Sequence, residues 1–164
     1  MSTTGTTTIG INLGSRYVGI AVIVDAELRE WRLRILRGKT LIEKFQRLTA
    51  ILARLVDSYS PSSVVLKKIR PARSSPMLSH LQLESKAFLQ QNGVTVHEYT
   101  LDQIKMRVIP GKRVNKTKLA EYIVAQYPIL FEEWERERSF KRRYHTAVFE
   151  AIALARAWSS QMNS

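Results

Sequence analysis

Lysine and arginine gather in three short runs along this chain. Lys67, Lys68, Arg70 and Arg73 form the first. Lys105, Arg107, Lys112, Arg113, Lys116 and Lys118 form the second, and Lys141, Arg142, Arg143 with His145 the third. Grouped ammonium and guanidinium groups neutralise phosphates, which is the electrostatic footprint of a nucleic-acid surface. Any one of these side chains is better read as solvated; the set is not. Carboxylates are scarce where metal chemistry would want them. The stretch Thr8–Val22 reads as strand, glycine turn, strand, and Asn12 stands where the first strand ends. An amide offers a metal one oxygen but no charge, whereas hard cations such as Mg²⁺ depend on carboxylates and substrate phosphates. Arg16 in the same turn joins the candidate phosphate contacts. Glu150 is the one acid inside an apolar helical segment; Asp25, Glu84, Glu98 and Asp102 are the other candidates. Glu98, near a strand end, could approach a cleft, but with Glu150 alone it makes a poor metal site, so both are expected to be solvated or ion-paired. His145 lies five residues before Glu150, and a helix brings together residues three and four apart. It is a phosphate contact or surface histidine before it is a metal ligand.

Composition sets the frame for these groups. The chain has 164 residues, 45% of them apolar, which suits a single domain spanning 1–164 with its own core. The net charge is +12, from 26 Lys and Arg against 14 Asp and Glu. Such an excess calls for a polyanionic partner, nucleic acid ahead of an anionic membrane. No stretch is long and apolar enough to span a bilayer, so no membrane partner is expected. The polar start Met1–Gly5 has no basic n-region, and there is no cysteine. Disulfides, thiolate zinc sites and cysteine nucleophiles are excluded, and a cytoplasmic location is expected.

The elements that must position these groups follow from periodicity. Strands are expected at 7–12, 17–24 and 29–37, the third alternating apolar and charged residues like a half-exposed antiparallel strand. Asp25-Ala26-Glu27 is the hairpin connection. An amphipathic helix follows over 41–58, on Leu41, Phe45, Leu48, Ile51, Leu52 and Leu55. Residues 63–66 read as a buried strand, 70–77 as a basic loop, 78–91 as a helix ended by Gly93, and 94–98 as a fifth strand. A short helix is expected over 101–108, a turn over 110–113 and a helix from the N-cap Asn115 to Gln126. Residues 129–138 read as a polar helical excursion, and 144–159 as a last helix with Val148, Ile152, Ala155 and Trp158 on one face. This order makes an α/β fold: a five-stranded mixed sheet, three antiparallel strands then two parallel, with helices on both faces.

That order, with Gly10-Ile11-Asn12-Leu13-Gly14-Ser15-Arg16, Val64-Val65-Leu66-Lys67-Lys68-Ile69, Val96-His97-Glu98-Tyr99 and Glu150-Ala151-Ile152-Ala153-Leu154-Ala155, resembles the ribonuclease H-like superfold. Within that superfold it resembles the RuvC-like Holliday-junction resolvase branch, over nearly the whole chain. The resemblance implies a metal-dependent nuclease scaffold serving DNA recombination and repair, with Asp expected at Asn12, Glu at Lys67, Asp at Glu150 and an acid or His at Ala147. Only one of these carboxylates is present. Two-metal hydrolysis needs several carboxylates converging on two cations. An ammonium at Lys67 repels a cation and can pair with Glu150 instead. The positions Asn12, Lys67 and Glu150 are therefore degenerate equivalents of the family's catalytic acids, and no metal ligand or cofactor is assigned.

The resemblance also puts Lys105 and Lys116 beside a scissile phosphate, and Arg70 where a group stacks on junction bases; Tyr99, Phe140 and Tyr144 are further stacking candidates, Tyr99 as core first. It implies a homodimer through the 78–91 helix, on Leu78, Leu81, Phe88 and Leu89, unless those residues are core. Three functions follow. The first is a catalytically degenerate RuvC-like protein that holds branched DNA, or structured nucleic acid, in a basic cleft. The second is a divergent endonuclease using Glu150 with Asn12, Glu98 or His145, which alone would require Mg²⁺ or Mn²⁺. The third is an interaction scaffold that retains only the fold.

Overall fold

Seven consecutive buried residues, Thr7–Leu13, form β1, and it lies at the centre of the sheet. Ile9, Ile11 and Leu13 fill the core on one face, and uncharged Thr8, Gly10 and Asn12 alternate onto the other. The computed structural model describes residues 6–70, 74–140 and 144–162, with 137–140, 144–145 and 160–162 described as backbone. β2 (Tyr17–Val24) returns antiparallel after a turn closed by Gly14 N–H donating to Tyr17 O at 2.9 Å. β3 (Glu27–Ile35) pairs with β2 across a two-residue turn, Asp25-Ala26, with φ of +50° and +71°. Both central residues lie in the left-handed region, as a primed hairpin turn demands. The sequence expectation of a three-residue connection is corrected, because Glu27 pairs with Val24. The third strand ends at Ile35, and Leu36 N–H turns instead to Arg16 O. A bulge between Val22 and Ile23 shifts the register, so Leu28, Trp31 and Leu33 all pack into one core despite their uneven spacing.

β4 (Ser63–Lys67) runs parallel to β1 and β5 (Thr95–Tyr99) parallel to β4, giving the order β3-β2-β1-β4-β5. α1 (Leu41–Tyr59) starts at Thr40, whose hydroxyl accepts from Glu43 N–H. α2 (Pro76–Gln91) starts two residues before the apolar pattern does, because Ser75 caps it and Pro76 opens it. Gly93, at φ +78°, follows its end. These two helices cover one face over Leu48, Leu52, Leu55, Leu81 and Leu89. Leu78 and Phe88 are partly buried against the same cluster, so the four residues offered for dimerisation belong to the core.

The other face carries α6 (Tyr144–Met162), with α3 (Leu101–Val108), α4 (Lys116–Gln126) and α5 (Phe131–Phe140) beyond it. α4 is capped by Asn115 as its sequence predicts. Residues 129–138 are no polar excursion: Leu130 is fully buried, and Trp134 meets Phe149 edge to face at 6.0 Å. Nor does α6 bury a single stripe. Every residue from Ala147 to Ala155 is buried, since the sheet lies on one side and helices on the other. Two glycines allow that approach. A Cβ on Gly10 would lie 2.0 Å from Ala151 O, and one on Gly19 2.5 Å from Ala147 O. Among the described residues, no helix is long and apolar enough to cross a membrane.

Candidate nucleic-acid interface

Strand parity decides which side chains meet α6. Ile11 pairs with Leu66, and both face α1 and α2. The next residues, Asn12 and Lys67, therefore face α6 side by side at the carboxyl ends of the two central strands. That edge is where open α/β sheets bind ligands. α6 delivers Glu150 to the same point, one turn beyond Ala147, which rests over Gly19.

The four polar groups there form one cluster. Asn12 Nδ2 donates to Glu150 Oε2 at 3.0 Å and to Ala147 O at 3.4 Å. Lys67 Nζ lies 3.0 and 3.2 Å from the two carboxylate oxygens, and Lys116 Nζ lies 3.7 Å from Oε1. Glu150 is 5% exposed and Asn12 8%. Both groups facing the Asn12 amide are acceptors, so its nitrogen must point at them and its oxygen must turn away. In this arrangement Asn12 presents a donor, not an oxygen ligand, to Glu150. Two ammoniums against one carboxylate leave the cluster at +1. Lys67 takes the counter-ion role that a metal would fill, and the residues present do not fit a divalent pair. Among the described residues, no group of three His, Cys, Asp or Glu comes together.

The other acids lie elsewhere. Glu98 does not approach the cleft: it pairs in register with Leu66, faces α2 and binds Lys86 at 2.7 Å and Gln82 at 3.4 Å. Asp102 holds exposed Arg70 at 3.3 Å, Asp25 lies in the hairpin turn accepting from Thr6 N–H, and Glu84 is exposed on α2. Arg70 thus sits in a solvent-exposed ion pair, a weak contact that leaves its guanidinium face open to solvent.

The expected phosphate contacts divide into those built against the cluster and those beside it. Tyr99 is the register partner of Lys67, is buried, and carries the Arg107 guanidinium 4.4 Å above its ring. Lys105 is partly buried on α3. Lys112 and Arg113 are exposed between α3 and α4, Lys118 is exposed on α4's first turn, and Lys68 and Arg16 are exposed at the strand ends. Arg73, Arg142 and Arg143, and the side chains of His145, Phe140 and Tyr144, lie outside the described residues. Two features escape sequence reading. A cavity of about 100 Å³ between α4, α5 and α6 opens beside Glu150, lined by Lys116, Thr117, Trp134, Thr146 and Phe149. Lys44, which reads as a solvated helix lysine, is buried and donates to Ser15 O and Leu36 O, clamping the Arg16 turn.

No protein-family model and no curated protein matches the chain. Solved structures do. Thermus thermophilus RuvC in complex with a Holliday junction substrate superposes with TM-score 0.74 at 16% identity, covering 96% of this chain and 95% of that one. A yeast mitochondrial Holliday junction resolvase gives 0.68 at 11% identity over 97% and 80%. Fowlpox virus resolvase with its Holliday junction DNA gives 0.60 at 13% identity over 94% and 99%. These superpositions, over nearly the whole chain, show that it has the RuvC-like, ribonuclease H-like fold.

Proposed function

We propose that this protein binds branched DNA through a basic cleft at the carboxyl ends of β1 and β4, without cutting it. The observation that carries this reading is the Lys67 ammonium, 3.0 Å from Glu150 beside the Asn12 amide. A site that has exchanged metal-binding acids for a cation and an amide attracts phosphate rather than Mg²⁺. Lys116, Lys105, Arg107 and the exposed bases around them extend that charge. The junction-bound RuvC and fowlpox resolvase support a branched partner. A two-fold homodimer through the 78–91 helix accompanies this reading, on exposed Leu83 rather than core Leu81 and Leu89. Sedimentation of the wild type against Leu83→Glu tests it.

One gel-shift and cleavage assay tests the main reading. A labelled four-way DNA junction and a matched duplex are incubated with EDTA, Mg²⁺ or Mn²⁺ at two salt concentrations. Salt-sensitive junction binding without nicking is the expected result. The endonuclease reading is favoured by the resolvases that share the fold, and metal-dependent nicking abolished by Glu150→Gln would establish it. Binding to neither substrate would leave an interaction scaffold.

A further inference from the structure

A second basic concavity lies on the opposite face of the sheet, between β3 and α1. It encloses about 540 Å³ and is lined by Arg34, Arg37, Arg47 and Arg54, with Ala50 and Ile51 on its floor. Arg54 is fixed by Glu30, at 2.6 Å. Among the described residues, no side-chain hydrogen bond or ion pair engages Arg34, Arg37 or Arg47. Glu27, Glu30 and Glu43 on the flanking elements are already occupied, and exposed Asp57, near the end of α1, does not line the concavity. Glu30 accepts from Arg54, Arg32 and the Tyr59 hydroxyl, and Glu43, one turn before Arg47, accepts from Lys39 N–H. Charges along an edge strand discourage sheet-to-sheet pairing, which accounts for Arg32 and Arg34. It does not account for Arg37 beyond the strand or Arg47 on the helix. Every cation lining the concavity is arginine, whose planar fork suits phosphate oxygens and base faces.

The concavity opens near the same edge of the sheet as the cleft. β1 ends and β3 ends at the same edge of the sheet, because β2 runs antiparallel to both. Leu36, beside Arg37, donates to Arg16 O at 2.9 Å, and Lys44 binds both Ser15 O and Leu36 O. Three strand spacings separate β4 from β3, roughly 14 Å at ~4.8 Å each. Exposed Arg16 stands between. We propose that this arginine groove is a second phosphate-binding surface, holding the backbone of a nucleic-acid arm that leaves the cleft past Arg16. This rests on the nucleic-acid-binding reading and adds a site to it.

The test is fluorescence anisotropy of a labelled four-way DNA junction, titrated between about 50 and 200 mM salt. Arg34→Gln/Arg47→Gln and Arg37→Gln alter exposed side chains in the groove, and Lys116→Gln alters the cleft. The groove double variant is expected to bind at least about tenfold more weakly at the lower salt, with a salt slope smaller by about 2. Because the chain has no cysteine, Ala50→Cys carrying a photo-crosslinker gives an independent readout. It is expected to label the junction, while Gln91→Cys, at the far end of α2, is not. Unchanged affinity and slope in the groove variants, with no crosslink from position 50, overturn the groove. If Lys116→Gln alone weakens binding, the cleft stands and the groove falls. If the groove variants weaken binding while Lys116→Gln does not, the groove stands and the cleft falls. A wild type that binds no nucleic acid sinks both.

Discussion

Restoring acids at positions 12 and 67 should convert the cluster from self-paired to metal-dependent. In the wild type, Glu150 faces Lys67 and Lys116, for a local charge of +1. In Asn12→Asp/Lys67→Glu, three carboxylates face Lys116, for a charge of −2. Two carboxylates about 4 Å apart repel by about 4 kcal/mol at an effective dielectric of 20. Protonating one at pH 7 costs a similar amount, about 4 kcal/mol, which caps the penalty. The metal-free variant should therefore unfold several kcal/mol more easily. A divalent ion at a hundred times its dissociation constant returns about 2.7 kcal/mol. For a domain of this size that is a rise of roughly 5–10 °C in Tm. The assay is thermal unfolding of both proteins in EDTA and then in increasing Mn²⁺. The wild type should not respond. A wild-type Tm that climbs with Mn²⁺ would refute the argument that Lys67 has replaced a metal. A variant indifferent to Mn²⁺ would refute the convergence of the three positions.

Other outcomes follow from the same geometry. Lys67→Met should cost about 2 kcal/mol by urea unfolding and Glu150→Gln about 1, because a 5% exposed carboxylate loses its main partner in the first, while a quarter-exposed ammonium can turn to water in the second. Equal costs would mean Glu150 is not paired as described. Gly10→Ala should destabilise by more than about 3 kcal/mol, since its Cβ would meet Ala151 O at 2.0 Å and backbone cannot yield cheaply. A stable variant would place α6 farther from the sheet. His97 stacks on Trp158 at 3.8 Å, and burial holds its imidazole below the ordinary value of 6.5. The unfolded chain then binds the extra proton, so stability should fall as pH drops through 6.5, and His97→Phe should flatten that decline. Burial pushes the Glu30 carboxyl up, but hydrogen bonds from Arg54 and Tyr59 outweigh it and hold the group below its usual 4.5. Its stabilisation is present above that pH and lost below it, and Glu30→Gln should remove that acid-side loss in pH-dependent urea unfolding.

Local chemistry was legible in the residues themselves. The glycine turn after β1, the Asn115 cap and the αL glycine at 93 are short-range signals, each set by backbone sterics within a few positions. The mixed sheet, three antiparallel strands and then two parallel, followed because short connections and right-handed crossovers leave few alternatives, while the order β3-β2-β1-β4-β5 came from the structure. The absence of acids at positions 12 and 67 was visible without coordinates. Tertiary structure decided what those residues do instead. Asn12, Lys67 and Glu150 are separated by most of the chain, and only the packing of α6 on Gly10 and Gly19 brings one carboxylate against an amide and two ammoniums. The same packing buries α6 all round, which no single periodicity expresses. Strand parity turned Glu98 to α2, because a period of two sends neighbours to opposite faces. Lys44 and the arginines of the groove carry no sequence mark that separates them from solvated side chains. Their partners, or lack of partners, arise from elements that meet only after folding.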